Sequence, residues 1–427
     1  MYRHSHLLAL ALLAPSLVLA QGPTPSIALT DSAPQAQTAQ RLTLSAALAL
    51  ADSGNRTLAA ARKEIEALDA SLEQAGARPN PEFSALMEDT RKASRTITYQ
   101  VNQPIELGGK RSARIAAAQR TRDMAVLELA SQRSALHARV TAAFHEAALA
   151  MERQQLARDL VTLAQTAADM TARRVRAGKV SPVEQTRSQV ALSNARLEAS
   201  QADSDVTLAR RQLASLWGAT DPGAALADID TEMLPPLPDI ATLTARVANG
   251  PAVQMARLEV ERRQALARIE SSKRVPDLTL SLGNKRDEEA ARNMWVVGFS
   301  VPIPVFDSNR GNELEALKRV DKARDEQAIV ELQLHNDAAQ AYERLRNARQ
   351  EAQALREDIV PGAQSAYLAA RTGFTLGKFA FLDVLDAQRS YFQARAQYWK
   401  ALSNAFQASA ELDRLAGNGP LAPPHPQ

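Results

Sequence analysis

The chain has 427 residues, and its formal net charge of +3 is small for that length. Basic and acidic residues are interleaved throughout, which argues against nucleic-acid binding. The absence of cysteine excludes disulfide bonds, thiolate metal sites and a lipidated N-terminal cysteine. Aromatic residues make up only 4% of the chain, whereas alanine, leucine, glutamine, glutamate and arginine are frequent. This composition favours long helices that pack closely side by side.

The N-terminus has the features of a secretory signal peptide. Arg3 is followed by the apolar stretch Leu7 to Leu19, and we predict cleavage after Ala20, so that the signal peptide is 1–20. An N-terminal tail, 21–41, then precedes the folded part. No later window of about 18 uninterrupted apolar residues predicts a membrane-spanning helix. We therefore expect an exported protein that has no helical anchor.

The remaining chain is internally duplicated. A shift of 199 residues superimposes Gly178 on Gly377, Leu216 on Leu415 and Gly218 on Gly417, and a shift of 198 superimposes Pro104 on Pro302. The predicted divisions are repeat 1 at 42–218, a proline-rich linker at 219–240, repeat 2 at 241–417 and a proline-rich tail at 418–427. Each repeat is predicted to run through an opening helix, two strands, a very long helix and a return helix.

The helix lengths indicate a tunnel wall. The predicted helices are 43–77, 108–176 and 182–217 in repeat 1, and 241–274, 310–376 and 381–416 in repeat 2. Each long helix spans about 100 Å, and an opening helix stacked end to end on a return helix has about the same length. Pro361 followed by Gly362 predicts a kink in the second long helix.

The predicted strands alternate apolar and polar residues, so that each has one apolar face. The residues that we assign to lipid contact are Ile97, Tyr99, Val101, Trp295, Val297 and Phe299. A half-buried sheet in a soluble protein would alternate in the same way. Export and strand length favour a membrane barrel. Four strands cannot close such a barrel, whereas three copies of the chain would supply twelve.

Four segments of the sequence carry a resemblance to a known family. They are 377–388 (GKFAFLDVLDAQ), 412–417 (LDRLAG), 78–82 (RPNPE) and 103–111 (QPIELGGKR). The first two resemble the TolC-type outer-membrane factors. The last two resemble, in particular, the outer-membrane subunits of heavy-metal efflux systems of the cobalt-zinc-cadmium type. The resemblance covers residues 42–417.

The resemblance implies a mostly helical protein with a small β part, located in the outer membrane of a Gram-negative bacterium and extending into the periplasm. It implies a homotrimer with a twelve-stranded barrel in lipid and a twelve-helix periplasmic tunnel. The partners would be a periplasmic adaptor (membrane fusion) protein and an inner-membrane RND pump. The implied adaptor-docking residues at the hairpin tips are Gly178, Val180, Ser181, Gly377 and Phe379. Asp383 and Asp386 would line the periplasmic aperture.

Several of these assignments have simpler alternatives. A glycine at a hairpin turn is explained by the left-handed backbone that often follows a helix. Aspartates in the first turns of a helix are favoured by its macrodipole. His137, His145 and His335 do not have the spacing of a metal-ligand cluster. Enzyme motifs are absent from the sequence, so we expect no cofactor, no metal site and no catalysis.

The main functional hypothesis is the outer-membrane channel of a tripartite pump that exports heavy-metal cations or drugs. The same fold would serve as the outer duct of a type I protein-secretion system. A periplasmic coiled-coil adaptor also uses long helical hairpins, but the duplicated strand pairs argue against it.

Overall fold

A computed structural model describes residues 41–221, 223, 234–379 and 381–417. The predicted signal peptide, nearly all of the two tails and half of the linker lie outside these described residues. The described helices are α1 (Leu44–Gly54), α2 (Arg56–Ala75), α3 (Lys110–Arg176), α4 (Pro182–Ser215), α5 (Ile240–Val247), α6 (Pro251–Ser272), α7 (Arg310–Ala354), α8 (Val360–Thr375) and α9 (Phe381–Ala416). No helix in these ranges is both long enough and apolar enough to cross a membrane.

Each opening helix is divided in two, which the sequence analysis did not predict. In repeat 1 the division falls at Asn55, whose side-chain oxygen accepts hydrogen bonds from the backbone N–H groups of Thr57 and Leu58 and so caps α2. The Asn55 amide also donates to the carbonyl of Leu216, 2.8 Å away, just beyond the end of α4. One side chain therefore links the start of α2 to the end of α4.

Repeat 2 has the same junction with different residues. Pro251 occupies the first turn of α6, where the missing N–H of proline costs no helical hydrogen bond. Gly250 approaches the carbonyl of Leu415 so closely that a Cβ atom would lie 2.7 Å from that oxygen. In both repeats the return helix ends at the break in the opening segment, next to the start of α2 or α6. Only this second part of the opening segment is placed end to end with the return helix, whereas α1 packs against α3.

The second long helix changes its geometry before Pro361. The α-helical turns of α7 give way to one π-helical turn at Leu355–Ile359, and α8 continues from Val360. A π turn contains one extra residue. This extra residue accounts for the change in repeat shift from 198 at Leu136 and Leu334 to 199 at Gly178 and Gly377. Next to the predicted kink at Pro361, the structure therefore has a wider turn, and the helix continues beyond it as α8.

Four strands form one antiparallel sheet in the order β1 (Glu82–Glu88), β2 (Thr96–Ile105), β3 (Leu278–Asp287) and β4 (Arg292–Ser300). The pairing of the two strands within each repeat, β1 with β2 and β3 with β4, was predicted. The pairing of β2 with β3, which joins the two repeats, was not predicted. Within the described residues, β1 and β4 each have one edge without a partner strand.

The long helices are packed through small residues. α3 contacts α2 and α4 of its own repeat and α6 and α9 of the second repeat, whereas α7 packs mainly against α6 and α9. Alanine is the commonest residue in the largest core cluster, with Ala47, Ala51 and Ala147 fully buried beside Leu58 and Leu213. Small side chains let the helix backbones approach closely, which explains the alanine-rich composition.

Candidate functional site

The first hairpin tip joins α3 to α4 through a left-handed glycine. Gly178 has φ +67°, and its neighbour Lys179 donates a backbone hydrogen bond of 2.9 Å to the carbonyl of Arg174. Ser181 caps α4 by accepting from the N–H of Val183 at 3.3 Å. Nothing lies within 4 Å of the position of a Cβ atom on Gly178. Glycine is therefore required here by the backbone angle and not by crowding.

The second hairpin tip joins α8 to α9 in a similar way. Gly377 has φ +75°, and Lys378 donates a 2.7 Å hydrogen bond to the carbonyl of Gly373. Phe379 folds back over Gly373, where an added Cβ atom would lie 2.2 Å from the phenylalanine ring. About half of the surface of Phe379 (48%) is nevertheless exposed. Of the predicted docking residues, Val180 is half-buried, whereas Gly178, Ser181 and Gly377 are exposed.

Arg174 connects the two tips. Its guanidinium lies over the ring of Phe374 with 4.3 Å to the ring centroid, and it donates a 3.1 Å hydrogen bond to the carbonyl of the same residue. A cation over an aromatic face and a hydrogen bond to one backbone group reinforce each other. The contact attaches the last turn of α3 to the last turn of α8.

The tips carry an excess of positive charge. The segments 169–187 and 369–389 contain eight basic and four acidic residues, an excess of four, whereas the whole chain has a net charge of only +3. The basic residues are Arg173, Arg174, Arg176, Lys179, Arg187, Arg371, Lys378 and Arg389. Three of these arginines occupy the last turn of α3, where a basic side chain also complements the helix macrodipole.

Asp383 and Asp386 lie three residues apart in the first two turns of α9, and both are exposed. Between and beyond them, Val384 and Gln388 are buried, with 5% and 4% of their surfaces exposed. This alternation shows that the two carboxylates point away from the surface that packs against the neighbouring helices. At the equivalent positions of α4 the chain has Glu184 and Arg187, which carry opposite charges.

The six residues assigned to lipid contact share one face of the sheet. Cα pairing places Met87 beside Ile97, Phe83 beside Val101, Val101 beside Leu282, and Leu282 beside Val297. The exposed fractions are 77% for Trp295, 78% for Val297 and 79% for Phe299. Asn284 lies between Tyr99 and Trp295, and Arg286 lies beside Ile97, at one end of this face. An exposed apolar surface of this kind is typical of contact with a partner or with lipid.

Comparison with known protein families shows which family the chain belongs to. The family model described as outer membrane efflux protein matches the chain twice, at residues 47–219 and 244–418. The chain belongs to this family. Among its relatives, the cobalt-zinc-cadmium resistance protein CzcC of Cupriavidus metallidurans is 44% identical over 410 residues, which cover 96% of this chain and 98% of CzcC.

The nickel-cobalt-cadmium resistance protein NccC of Alcaligenes xylosoxydans xylosoxydans is 30% identical to this efflux protein over 265 residues, covering 61% of this chain and 60% of NccC. The solved structure of CusC, which forms a transmembrane channel, superimposes on this chain with a TM-score of 0.76. The sequence identity is 16%, and the match covers 88% of this chain and 92% of CusC. The fold is that of the TolC-like channels, and the efflux protein is a protein of the outer membrane.

An aromatic cluster that was not predicted from the sequence lies where α3 and α8 meet α9. Tyr367 stacks on Tyr391 at 5.9 Å between ring centroids, and the Arg395 guanidinium lies 4.6 Å from the ring of Trp399. The signal that would have revealed this surface is the seven-residue spacing of Phe392, Trp399 and Phe406 along α9.

Two histidines have structural partners. His145 stacks on Phe406 at 3.6 Å, and burial lowers the pKa of this imidazole to about 4. His137 contacts Asp52, with 2.9 Å between Nε2 and the carboxylate. Although burial alone would raise the pKa of Asp52, hydrogen bonds from Arg133 and His137 lower it. Across the described ranges, no three histidine, aspartate or glutamate side chains gather into a cluster that could hold a metal ion.

Proposed function

We propose that this efflux protein is the outer-membrane channel of a tripartite RND-type pump that exports divalent heavy-metal cations. The observation that carries the proposal is the 44% identity to the cobalt-zinc-cadmium resistance protein over nearly the full length of both chains. A nickel-cobalt-cadmium resistance protein is also similar. On this proposal the chain conducts its substrate and catalyses no reaction.

The working form is proposed to be a homotrimer. The open edges of β1 and β4 support this, because unpaired backbone groups at a sheet edge are costly in lipid. Three copies would give a closed barrel of twelve strands and would remove every edge. The apolar sheet face that contains Tyr99, Trp295 and Val297 would then contact lipid.

The hairpin tips are proposed to dock on a periplasmic adaptor protein that connects the channel to an inner-membrane pump. Gly178, Val180, Ser181, Gly377 and Phe379 would form the contact. Exposure of most of these residues and the excess of basic side chains around them support a protein partner at this end. An acidic adaptor surface would be the electrostatic complement.

Asp383 and Asp386 are proposed to line the periplasmic aperture. Threefold symmetry would gather six carboxylates from these two positions around one axis. A ring of carboxylates attracts cations, as in other cation pores. The repeat-equivalent pair of Glu184 and Arg187 carries no net charge, so repeat 2 would supply the acidic ring.

The division of the chain is proposed as predicted from the sequence. Residues 1–20 would direct export and be removed, and 21–41 and 418–427 would form the tails. Repeats 42–218 and 241–417, joined by the linker 219–240, would each contribute half of the channel wall of one copy.

Deletion of the gene tests the proposed function. We expect the deletion strain to become more sensitive to cobalt, zinc and cadmium, and complementation with the intact gene to restore resistance. Sensitivity to hydrophobic drugs serves as the comparison. Unchanged metal resistance together with loss of a secreted protein would instead indicate a type I secretion duct.

A further inference from the structure

The two long helices differ in how much of their surface is covered. At positions 111–130 of α3, four of the 20 residues are exposed, whereas 14 of the 20 are exposed at the equivalent positions 309–328, which are the N-cap and first 19 residues of α7. α3 packs against both α2 and α6, and α7 packs substantially against α6 but not α2 in the part of the chain that the structure describes. α7 therefore lacks the second neighbour that covers α3.

The duplication identifies the missing neighbour. A shift of 195 residues superimposes α2 on α6, including Ala61 on Ala256, Pro81 on Pro276 and the buried Leu58 on the buried Val253. Because α3 is covered by α6, its equivalent α7 should be covered by an α2. The α2 of the same chain already packs against α3. The α2 that covers α7 must then belong to a second copy.

One ion pair between α3 and α6 identifies which residues should meet between α7 and the α2 of the second copy. Arg120 of α3 lies 3.2 Å from Glu261 of α6 and joins the two repeats. The repeat equivalents are Lys318 of α7, at a shift of 198, and Glu66 of α2, at a shift of 195, so the signs of the charges are retained. We infer that Lys318 of one copy binds Glu66 of the next copy across a seam between α7 and α2.

Both side chains are available for this contact. Lys318 is 72% exposed and Glu66 is 62% exposed, and the ion pairs in which they take part lie along their own helices. Lys318 contacts Asp321 at 3.2 Å, and Glu66 contacts Lys63 at 2.8 Å. Ion pairs three residues apart on an exposed helix contribute little energy, so exchanging partners costs little.

The sheet gives independent support. β2 pairs with β3 along its full length to Ile105, whereas β4 ends at Ser300 although its sequence continues through Pro302 and Ile303, the equivalents of Pro104 and Ile105. Ile303 is 81% exposed. By the same equivalence, β4 pairs with β1 of the next copy. This pairing extends β4 and covers its exposed end on the same side as the helix seam.

This inference rests on the proposed homotrimer and can be tested separately from it. Because the chain has no cysteine, Glu66→Cys and Lys318→Cys introduce the only two thiols. A short crosslinker with two thiol-reactive maleimide groups is suitable, because an ion pair between long side chains separates the backbones by more than a disulfide spans. We expect covalent dimers and trimers of the membrane-extracted double variant on a denaturing gel.

Matched controls define the result. On the denaturing gel, each single-cysteine variant should migrate as a single chain without covalent oligomers. Arg120→Cys with Glu261→Cys should give a crosslink within one chain only. Lys318→Glu and Glu66→Lys should each lower the temperature at which the trimer dissociates, and their combination should restore it. An intact, active trimer without the Glu66–Lys318 crosslink would overturn the seam. A purified protein that is monomeric by light scattering in detergent would overturn the proposed trimer as well.

Discussion

The return helices α4 and α9 occupy equivalent places in the two repeats but present different surfaces. On α9, the aromatic residues Phe392, Trp399 and Phe406 recur every seven residues; at the equivalent positions, α4 has Ser193, Ser200 and Thr207. Trp399 is 3% exposed and packs with Leu149 and Leu402, whereas all three hydroxyl residues of α4 are exposed.

The difference between α4 and α9 distinguishes two kinds of helix contact, one within a chain and one between copies. The seam between α3 and α9 lies within one chain, and its aromatic side chains bury a large apolar area. In the proposed trimer, repeat equivalence would place the hydroxyl stripe of α4 at a seam between copies. Little apolar surface would be lost if that second seam were rearranged. We therefore expect the two repeats of one chain to move as a unit and the contacts between copies to be the adjustable ones.

The largest expected effect is at the aromatic seam. Trp399→Ala should lower the free energy of unfolding by about 3–5 kcal/mol, because it leaves a cavity among buried side chains. Thermal unfolding of the purified protein, followed by circular dichroism in detergent, measures the change.

Ser200→Ala is the matched control at the equivalent position of α4. Its exposed hydroxyl makes no buried contact, so the change in stability should stay within about 0.5 kcal/mol. Equal destabilisation by both substitutions would contradict the distinction between the two seams.

The second prediction concerns pH at the same seam. The pKa of His145 is lowered from 6.5 to about 4, so the unfolded chain binds a proton between these values and the folded chain does not. His145 therefore does not reduce the free energy of unfolding above about pH 6.5. As the pH falls from there to about 4, the unfolded chain is protonated first, and the free energy of unfolding decreases by about 3 kcal/mol in total. His145→Leu should remove this part of the pH dependence, and chemical unfolding at several pH values measures it. A profile unchanged by the substitution would show that His145 is accessible to protons in the fold.

Periodicity and helix-breaking residues predicted much of this architecture. The range 381–416 of the last helix was predicted to the residue, because Gly377 and Gly417 bracket it. The division at Asn55 was missed because an asparagine can cap a helix inside a continuous apolar pattern. The β2–β3 pairing depends on contacts about 180 residues apart along the chain, and no local pattern encodes such a contact. The roles of the tip residues and of the two aspartates stay predictions, since they depend on partners and on other copies.

A smaller effect is expected at the hairpin tips, which have equivalent turns in both repeats. Gly178→Val should cost about 1–2 kcal/mol, because a side chain disfavours positive φ. Nothing crowds this position, so the damage should be confined to the turn. Metal resistance should fall while the trimer stays intact on a gel. Gly178→Asn is the control, since asparagine tolerates this conformation, and it should retain more resistance than the valine variant. Equal resistance of wild type and the valine variant would argue against docking at this tip.

The smallest effect on stability is expected at the start of the return helices, where Asp383 and Asp386 of α9 correspond to Glu184 and Arg187 of α4. If the aspartates act only through the helix macrodipole, Asp383→Ala with Asp386→Ala should cost about 0.3–1 kcal/mol and leave conduction unchanged. If they line the aperture, the same double variant should lose cation selectivity and block by a trivalent cation. Conductance of the purified trimer in a planar bilayer, with the cation added from the periplasmic side, separates the two.

Glu184→Ala provides the matched substitution in the other return helix. It also removes a carboxylate from a first helical turn, so its macrodipole effect should be similar. On the aperture hypothesis it should leave the trivalent block intact, because the acidic ring would come from repeat 2 alone. If Glu184→Ala weakens the block as much as the aspartate substitutions do, the two repeats contribute equally to the entrance. The difference between α4 and α9 would then concern packing and not conduction.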